Sequence, residues 1–365
     1  MKKSDNMKVL FTFFNPSGGM ETLNRVRCAA LTTRGIECHM LYTHNGEGRR
    51  NIRNFPVHLI HSNEDISNLL FSQKFDLIVV NSDIDLAEQI RNLGYRGLIV
   101  FELQGLGELE EARAVIANFA GRISLYTDAL LYPETAHLQQ LLGEYLPTMP
   151  HYCFDNPVGL PYFEYTVYPP KNYPVLAWIG RIQANKNWKE FLQIGIQLLS
   201  SKPGMYLWIF QDDTLADPEE KARFDQFIAE TGIASKLILY SNIPHEHMAD
   251  YLSIIGDSGG LLCSTSILEG FGYAVAEAML CRCPVLSTDS DGIRRLVIHN
   301  QTGKIYSRGN IEEAVSEALL LMNNQVFRTS VRHEAEEHVR VNLNPELYVS
   351  RFLTMYTSML DKIAH

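Results

Sequence analysis

Short apolar runs alternate with amphipathic stretches along almost the whole chain. In the first half, strand-like runs fall at Val9–Phe14, Cys38–Thr43, Val57–His61, Leu77–Asn81, Leu98–Leu103 and Ala129–Tyr132. Helical stretches lie between several of them, among them Met20–Thr33 and Asp65–Phe71, where Ile66, Leu69 and Leu70 recur at helical spacing. This is the pattern of parallel sheets with crossover helices. The texture changes at Tyr162–Pro174, which carries Pro169, Pro170 and Pro174 and little periodicity. That segment predicts a domain boundary. The alternation then restarts with strand-like runs at Val175–Ile179, Tyr206–Phe210, Leu237–Tyr240, Gly260–Ser264 and Pro284–Ser287. A helix over Trp188–Leu199 places Trp188, Phe191, Leu192, Leu198 and Leu199 on one side.

The expected architecture is α/β, with two Rossmann-like doubly wound parallel-sheet domains facing a cleft. The first spans 1–165, a linker follows at 166–174, and the second spans 175–344. A final helix over Pro345–Ile363, within 345–365, is expected to cross back and pack on the first domain.

Composition narrows the class. A chain of 365 residues is long for one core and favours two domains. Its 46% hydrophobic and 20% charged content are those of a soluble globular protein. No run approaches the roughly 18 apolar residues of a membrane span. The start Met1–Asn6 is polar and lacks a secretory h-region, so a cytoplasmic protein is expected. Cys28, Cys38, Cys153, Cys263, Cys281 and Cys283 read as reduced, mostly buried thiols, and Cys281-Arg282-Cys283 lacks the spacing of a zinc site. The net charge is −10 and neither half is basic, which argues against a nucleic-acid partner. It also leaves at most peripheral contact with an anionic membrane. The local basic cluster Arg49-Arg50-Asn51-Ile52-Arg53 could touch phosphate groups, but reads more simply as a solvated loop.

In doubly wound sheets ligands bind outside the carboxyl ends of the strands, so the strand-to-helix loops carry the chemistry. The first such loop, Asn15-Pro16-Ser17-Gly18-Gly19-Met20-Glu21, sets two glycines before a helix N-terminus. Free amides and a positive dipole end there suit a phosphate or a polar sugar, although a plain tight turn explains Gly18 and Gly19 equally well. The second loop, Gly180-Arg181-Ile182-Gln183-Ala184-Asn185-Lys186-Asn187, holds two cations expected to project into the cleft, with Asn187 as the N-cap of the next helix. A guanidinium fork with an ammonium suits a diphosphate leaving group. The third runs from Ser264 to Met279. Glu269 follows an apolar strand, Gly270 and Gly272 bracket Phe271, and Tyr273 precedes a helix whose Ala274, Ala276 and Ala278 permit close packing on the sheet. Glu277 lies about a turn into that helix and can accept both hydroxyls of a ribose, while Glu269 can reach a sugar.

Asp83-Ile84-Asp85 and Asp289-Ser290-Asp291 match a metal-holding pattern but read better as helix-start and turn carboxylates. His44, His58 and His61 are scattered near strand ends and read as structural or exposed. No nucleophile elbow, Walker loop or His-Glu-x-x-His helix is present.

These motifs, taken in order, resemble the retaining glycosyltransferases of the GT-B fold in the large family 4, the group 1 glycosyl transferases. The resemblance covers nearly the whole chain: the Gly-Gly-x-Glu loop at Gly18–Glu21, Gly180-Arg181 with Lys186-Asn187, Glu269-Gly270-Phe271-Gly272 with Glu277 eight residues on, and the final helix. Asn156-Pro157-Val158-Gly159 is similar to the Asn-Gly-Val stretch before the linker of such enzymes. The resemblance implies a UDP- or GDP-sugar donor, a hydroxyl acceptor, retention of anomeric configuration and no metal or other cofactor. It implies that Arg181 and Lys186 hold the diphosphate and Glu277 the ribose. Glu269 and the amides around Gly270, Phe271, Gly272 and Tyr273 would hold the donor sugar, and Gly19 would face phosphate or sugar from the first domain. Closure of the domains over the donor is implied, with Tyr162–Pro174 as one hinge.

Three positions depart from the family pattern. Glu102 or Gln104 takes the place of a His that touches the sugar in many relatives. Arg295 replaces a carboxylate after Asp291-Gly292, and Arg282 replaces a small residue. A catalytically impaired nucleotide-sugar-binding homologue therefore stays open, as does another GT-B-like enzyme such as a phosphorylase or a sugar-nucleotide epimerase.

Overall fold

The apolar runs become strands whose alternate side chains are buried on opposite faces of a sheet, because helices cover both sides. A computed structural model describes residues 7–106 and 109–363. The polar start Met1–Asn6, Gly107 and Glu108, and the last two residues of the 345–365 segment lie outside the described residues. The chain divides into two units, residues 1–158 with 343–365, and residues 159–342.

The first unit holds β1 (Lys8–Phe13), β2 (Glu37–Tyr42), β3 (Val57–Leu59), β4 (Leu77–Asn81), β5 (Leu98–Glu102), β6 (Ala129–Tyr132) and β7 (His151–Cys153). Its labelled helices are α1 (Gly18–Thr32), α2 (Asn63–Gln73), α3 (Ile84–Asn92), α4 (Leu109–Tyr126) and α5 (Ala136–Tyr145). The strands are parallel, in the order β3-β2-β1-β4-β5-β6-β7. Leu10, Ile78, Val80 and Ile99 face one core. Val9, Phe11, Val79 and Val100 face the other, where Tyr348, Val349, Phe352, Met355 and Met359 of the C-terminal helix (Pro345–Ile363) complete the packing. Local chemistry sets the helix starts. Ser62 and Asp65 close a reciprocal capping box on α2, and the Asp83 carboxylate accepts from the Leu86 amide at 2.9 Å to cap α3.

The second unit holds β8 (Val175–Ile179), β9 (Tyr206–Gln211), β10 (Leu237–Ser241), β11 (Leu261–Ser264), β12 (Val285–Thr288) and β13 (Lys304–Tyr306). Its helices are α6 (Trp188–Ser201), α7 (Pro218–Thr231), α8 (His245–Asp257), α9 (Tyr273–Leu280), α10 (Asp291–Arg294), α11 (Ile311–Asn323) and α12 (Gln325–Asn342). The strand order is β10-β9-β8-β11-β12-β13, again parallel.

The linker differs from expectation. Residues 159–174 belong to the second unit, because their side chains and amides are fastened to α8. Phe163 is buried, the Tyr168 hydroxyl donates to Asp250 at 2.8 Å, and Tyr165 donates to Asp257 at 3.0 Å. The Thr166 and Lys171 amides donate to the hydroxyls of Ser253 and Ser258. A segment held at so many points is not a free hinge. The chain passes between the units at 158–159 and 342–343, and there the Val158 amide donates to the Leu343 carbonyl at 2.8 Å.

All six cysteines are free thiols, five of them buried and Cys153 half-buried. Among the described residues no helix is long and apolar enough to cross a membrane.

Candidate functional site

In the second unit the strand order reverses between β8 and β11, which pair directly through Leu176 and Leu261. A reversal of this kind leaves a crevice at the carboxyl ends of the two strands, since their connections depart in opposite directions. The loops leaving β8 and β11 are those that carry Gly180–Asn187 and Thr265–Gly272.

The two loops are tied together. Asn185 clasps the β11 loop: its side-chain amide donates to the Leu268 carbonyl and its side-chain oxygen accepts from the Leu268 amide, each at 3.1 Å, while its backbone carbonyl accepts from Ile267 at 2.8 Å. Thr265 works from beneath. Its hydroxyl accepts from the Trp178 indole at 3.0 Å and donates to the Lys186 carbonyl at 2.9 Å. Gly180 is required where it is, because a Cβ there would stand 2.8 Å from the Trp178 ring.

Asn187 occupies the N-cap of α6 but does not cap it with its side chain. It sits at φ 51°, and its amide donates to Glu190 at 2.6 Å instead. The left-handed backbone is tolerated by Asn better than by most residues, and the buried Glu190 draws the side chain inward.

This framework brings Lys186 to Glu269. The ammonium donates to Glu269 Oε1, and Ser266 Oγ donates to the same oxygen at 2.7 Å. The Lys186 and Glu269 side chains are 20% and 17% exposed, half-sunk but open to a ligand. Arg181 is exposed at the end of β8 and has no side-chain partner among the described residues. Behind Glu269 the backbone is crowded: its carbonyl accepts from the Gly292 amide at 3.1 Å, and a Cβ on Gly292 would stand 2.4 Å from that carbonyl. Gly270, Phe271 and Gly272 lead into α9, with Gly272 at φ 84° and both Phe271 and Tyr273 buried.

Glu277 lies on α9, eight residues after Glu269, and has a partner that the sequence did not reveal. His245 Nε2 donates to Glu277 Oε1 at 2.7 Å, and Phe163 stacks on the imidazole with ring centroids 4.6 Å apart. Only their contact betrays them, since His245 stands 32 positions before Glu277. Burial, with the Glu277 charge adding to it, pushes the Cys281 thiol well above its ordinary range.

In the first unit the order reverses between β1 and β4. Gly18 and Gly19 lie exposed at the start of α1, after β1. The Glu21 of that loop is buried and paired with Arg25 at 2.7 Å. Glu102, expected as a sugar or acceptor contact, is 1% exposed, and its carboxylate is taken by Arg27 at 2.7 Å and Asn81 at 3.1 Å. Burial removes it from direct contact and makes it an anchor. Gln104, half-buried at the rim, donates to Glu102 at 3.0 Å and exchanges amide hydrogen bonds with Asn156.

Of the departing arginines, Arg282 has structural side-chain partners. Arg282 pairs with Glu336 and lies over the Tyr165 ring at 4.5 Å. The Arg295 carbonyl accepts from His338 at 2.7 Å. Asp289 and Asp291 pair with Arg294. Among the described residues no group of three or more His, Cys, Asp or Glu converges on a metal position.

Two parallel sheets of Rossmann type, each reversing its order at a central strand pair, make up the GT-B fold. Sucrose-phosphate synthase from Thermosynechococcus elongatus superposes with a TM-score of 0.77 at 15% identity, covering 98% of this chain and 100% of that one. Anabaena HepE, solved in complex with UDP-glucose, gives 0.77 at 14% identity, covering 96% and 100%. Residues 167–338 match the glycosyl transferases group 1. A trehalose synthase of Pyrococcus horikoshii is 24% identical over 51% of this chain and 44% of its own length. The 2-deoxystreptamine N-acetyl-D-glucosaminyltransferase of Niallia circulans is 24% identical over 50% and 45%. The chain thus matches less than half the length of these curated relatives.

Proposed function

We propose that this chain transfers a sugar from a UDP- or GDP-sugar to an acceptor hydroxyl, with retention of anomeric configuration and without a metal. The observation that carries the proposal is the pairing of Lys186 with Glu269 across the two loops at the β8–β11 reversal. A cation for a diphosphate and a carboxylate for sugar hydroxyls stand side by side there, and Arg181, just past the end of β8, adds a guanidinium with no side-chain partner among the described residues. The solved UDP-glucose complex of Anabaena HepE, alike in fold, supports a donor of this class.

Breaking the bond from the anomeric carbon to the diphosphate leaves negative charge on the departing oxygen. Fixed cations stabilise that charge more in the transition state than in the ground state. Arg181 and Lys186 serve the diphosphate in this scheme, Glu277 the ribose, and Glu269 the sugar hydroxyls together with the amides of Gly270–Tyr273. The acceptor oxygen bonds to the anomeric carbon on the face the phosphate leaves, and its proton passes to that phosphate. Gln104, Gly18 and Gly19 are proposed to meet the sugar or the acceptor.

Thermal melts against a panel of UDP- and GDP-sugars test the donor. A donor at 100 times its dissociation constant adds about 2.7 kcal/mol of stability, and no shift with any of them would overturn the proposal. Donor hydrolysis measured alongside separates an enzyme from a binding protein. Binding without turnover, under any acceptor, supports the impaired homologue suggested by Gln104 and Arg295.

A further inference from the structure

We propose that His245 is a positioning residue for the ribose end of the donor site, setting the Glu277 carboxylate and itself held by Phe163. The inference rests on the assignment of Glu277 to the ribose and deepens it.

A carboxylate that must accept from two neighbouring hydroxyls has to present its oxygens in one orientation. On a helix a Glu side chain has three rotatable bonds, and ordering it costs free energy. His245 removes that freedom. A carboxylate can only accept, so His245 Nε2 carries the hydrogen, and at 2.7 Å this is a short, charge-assisted bond. It occupies Oε1 and leaves Oε2 for a ligand. The two side chains are 12% and 11% exposed, so water competes weakly for the bond while one edge stays open.

The imidazole is fixed in turn. His245 is the first residue of α8, which places its Cα on a rigid element. The Phe163 ring stacks on it at 29° from coplanar with centroids 4.6 Å apart, and Phe163 is itself 1% exposed. Phe163 lies five residues after Val158, at the start of the segment fastened to α8, so the stacking seat belongs to the second unit. The line Phe163–His245–Glu277 thus runs from the linker segment to the ribose carboxylate without leaving that unit.

The test is isothermal titration of the full chain with UDP and GDP and with their 2′,3′-dideoxy forms, which lack the hydroxyls that Glu277 would bind. His245→Phe keeps an aromatic ring against Phe163 but loses the donor. His245→Gln puts an amide nitrogen near the position of Nε2, whereas His245→Asn falls short of it. The wild type is expected to prefer the ribonucleotide. His245→Phe should weaken the ribonucleotide by about tenfold while changing the dideoxy form by less than about twofold, and His245→Gln should restore most of the loss. Thermal melts of the variants exclude misfolding, and His245→Asn against His245→Gln repeats the comparison should the Phe variant be unstable. Equal losses for both ligands in His245→Phe, or a retained ribose preference, would overturn the inference. Glu277→Gln run in parallel separates the two levels. A lost preference in Glu277→Gln with none lost in His245→Phe overturns only the role of His245. A wild type without preference overturns both.

Discussion

Lys186 and Glu269 hold each other, with Ser266 on the same carboxylate oxygen. Each is proposed to bind a different part of one donor, so their mutual bond is also a competitor of that donor. The consequence is a change of sign between ligands. Glu269→Gln frees the ammonium and removes a negative charge near the diphosphate, so UDP or GDP alone should bind more tightly, by roughly 1 kcal/mol or about fivefold. The complete nucleotide sugar should bind more weakly, because the amide replaces a carboxylate that accepts from sugar hydroxyls. Titration of both ligands against both proteins checks this, and a change of the same sign for the two would remove Glu269 from the sugar.

Much of this was legible beforehand, for physical reasons. Strands with four or five apolar residues in a row, such as Leu77–Asn81 and Val175–Ile179, announce themselves and match the structure residue for residue. The edge strands β7 and β13, three residues each with His151 and Lys304 among them, carry too little pattern to separate from loop. Glycine positions and cations after strands were readable because loop chemistry is local. Side-chain partners were not, since Arg27 meets Glu102 and His245 meets Glu277 only through tertiary packing. The same limit explains Asn187, whose expected cap was lost to a buried Glu190.

Arg181 and Lys186 are expected to act on the leaving group rather than on binding alone. Arg181→Ala and Lys186→Ala should each slow turnover by roughly 10²–10³-fold, the range for losing one preorganised donor. Arg181, exposed and unpaired among the described residues, should leave the melting temperature of the free chain unchanged when replaced. Steady-state rates at saturating donor, beside thermal melts, measure both, and near-normal turnover in the two variants would withdraw the assignment.

Gly292 is expected to tolerate no side chain. Its Cβ would lie 2.4 Å from the Glu269 carbonyl and 2.6 Å from Gly270, both backbone, so the loop rather than a flexible side chain must shift. Gly292→Ala should cost roughly 1–3 kcal/mol and displace Glu269 from its seat, weakening nucleotide-sugar binding as well. Gly121→Ala is the control. It lies exposed inside α4 with nothing within 4 Å of its Cβ, and should stabilise the chain by about 0.4–1 kcal/mol. Denaturant midpoints of the two variants should therefore move in opposite directions.

The Arg27–Glu102 pair gives the largest expected stability effect. Both side chains are essentially inaccessible, at 0% and 1% exposure, and the guanidinium also lies over the Phe11 ring at 3.9 Å. Removing one charge leaves the other buried and uncompensated, which typically costs roughly 3–5 kcal/mol. Glu102→Leu should therefore destabilise the chain by about that amount. Arg27→Met in the same molecule should recover a large part, because no lone charge remains. Recovery stays incomplete, since Asn81 and Gln104 each lose an acceptor that water cannot freely replace, at roughly 1–3 kcal/mol for a fully buried group. Gln104 keeps its exchange with Asn156, so the double variant should retain the side chain at the rim. Urea unfolding of the two singles and the double measures the coupling directly. Additive losses would show that Arg27 and Glu102 act on stability independently, against the geometry that joins them.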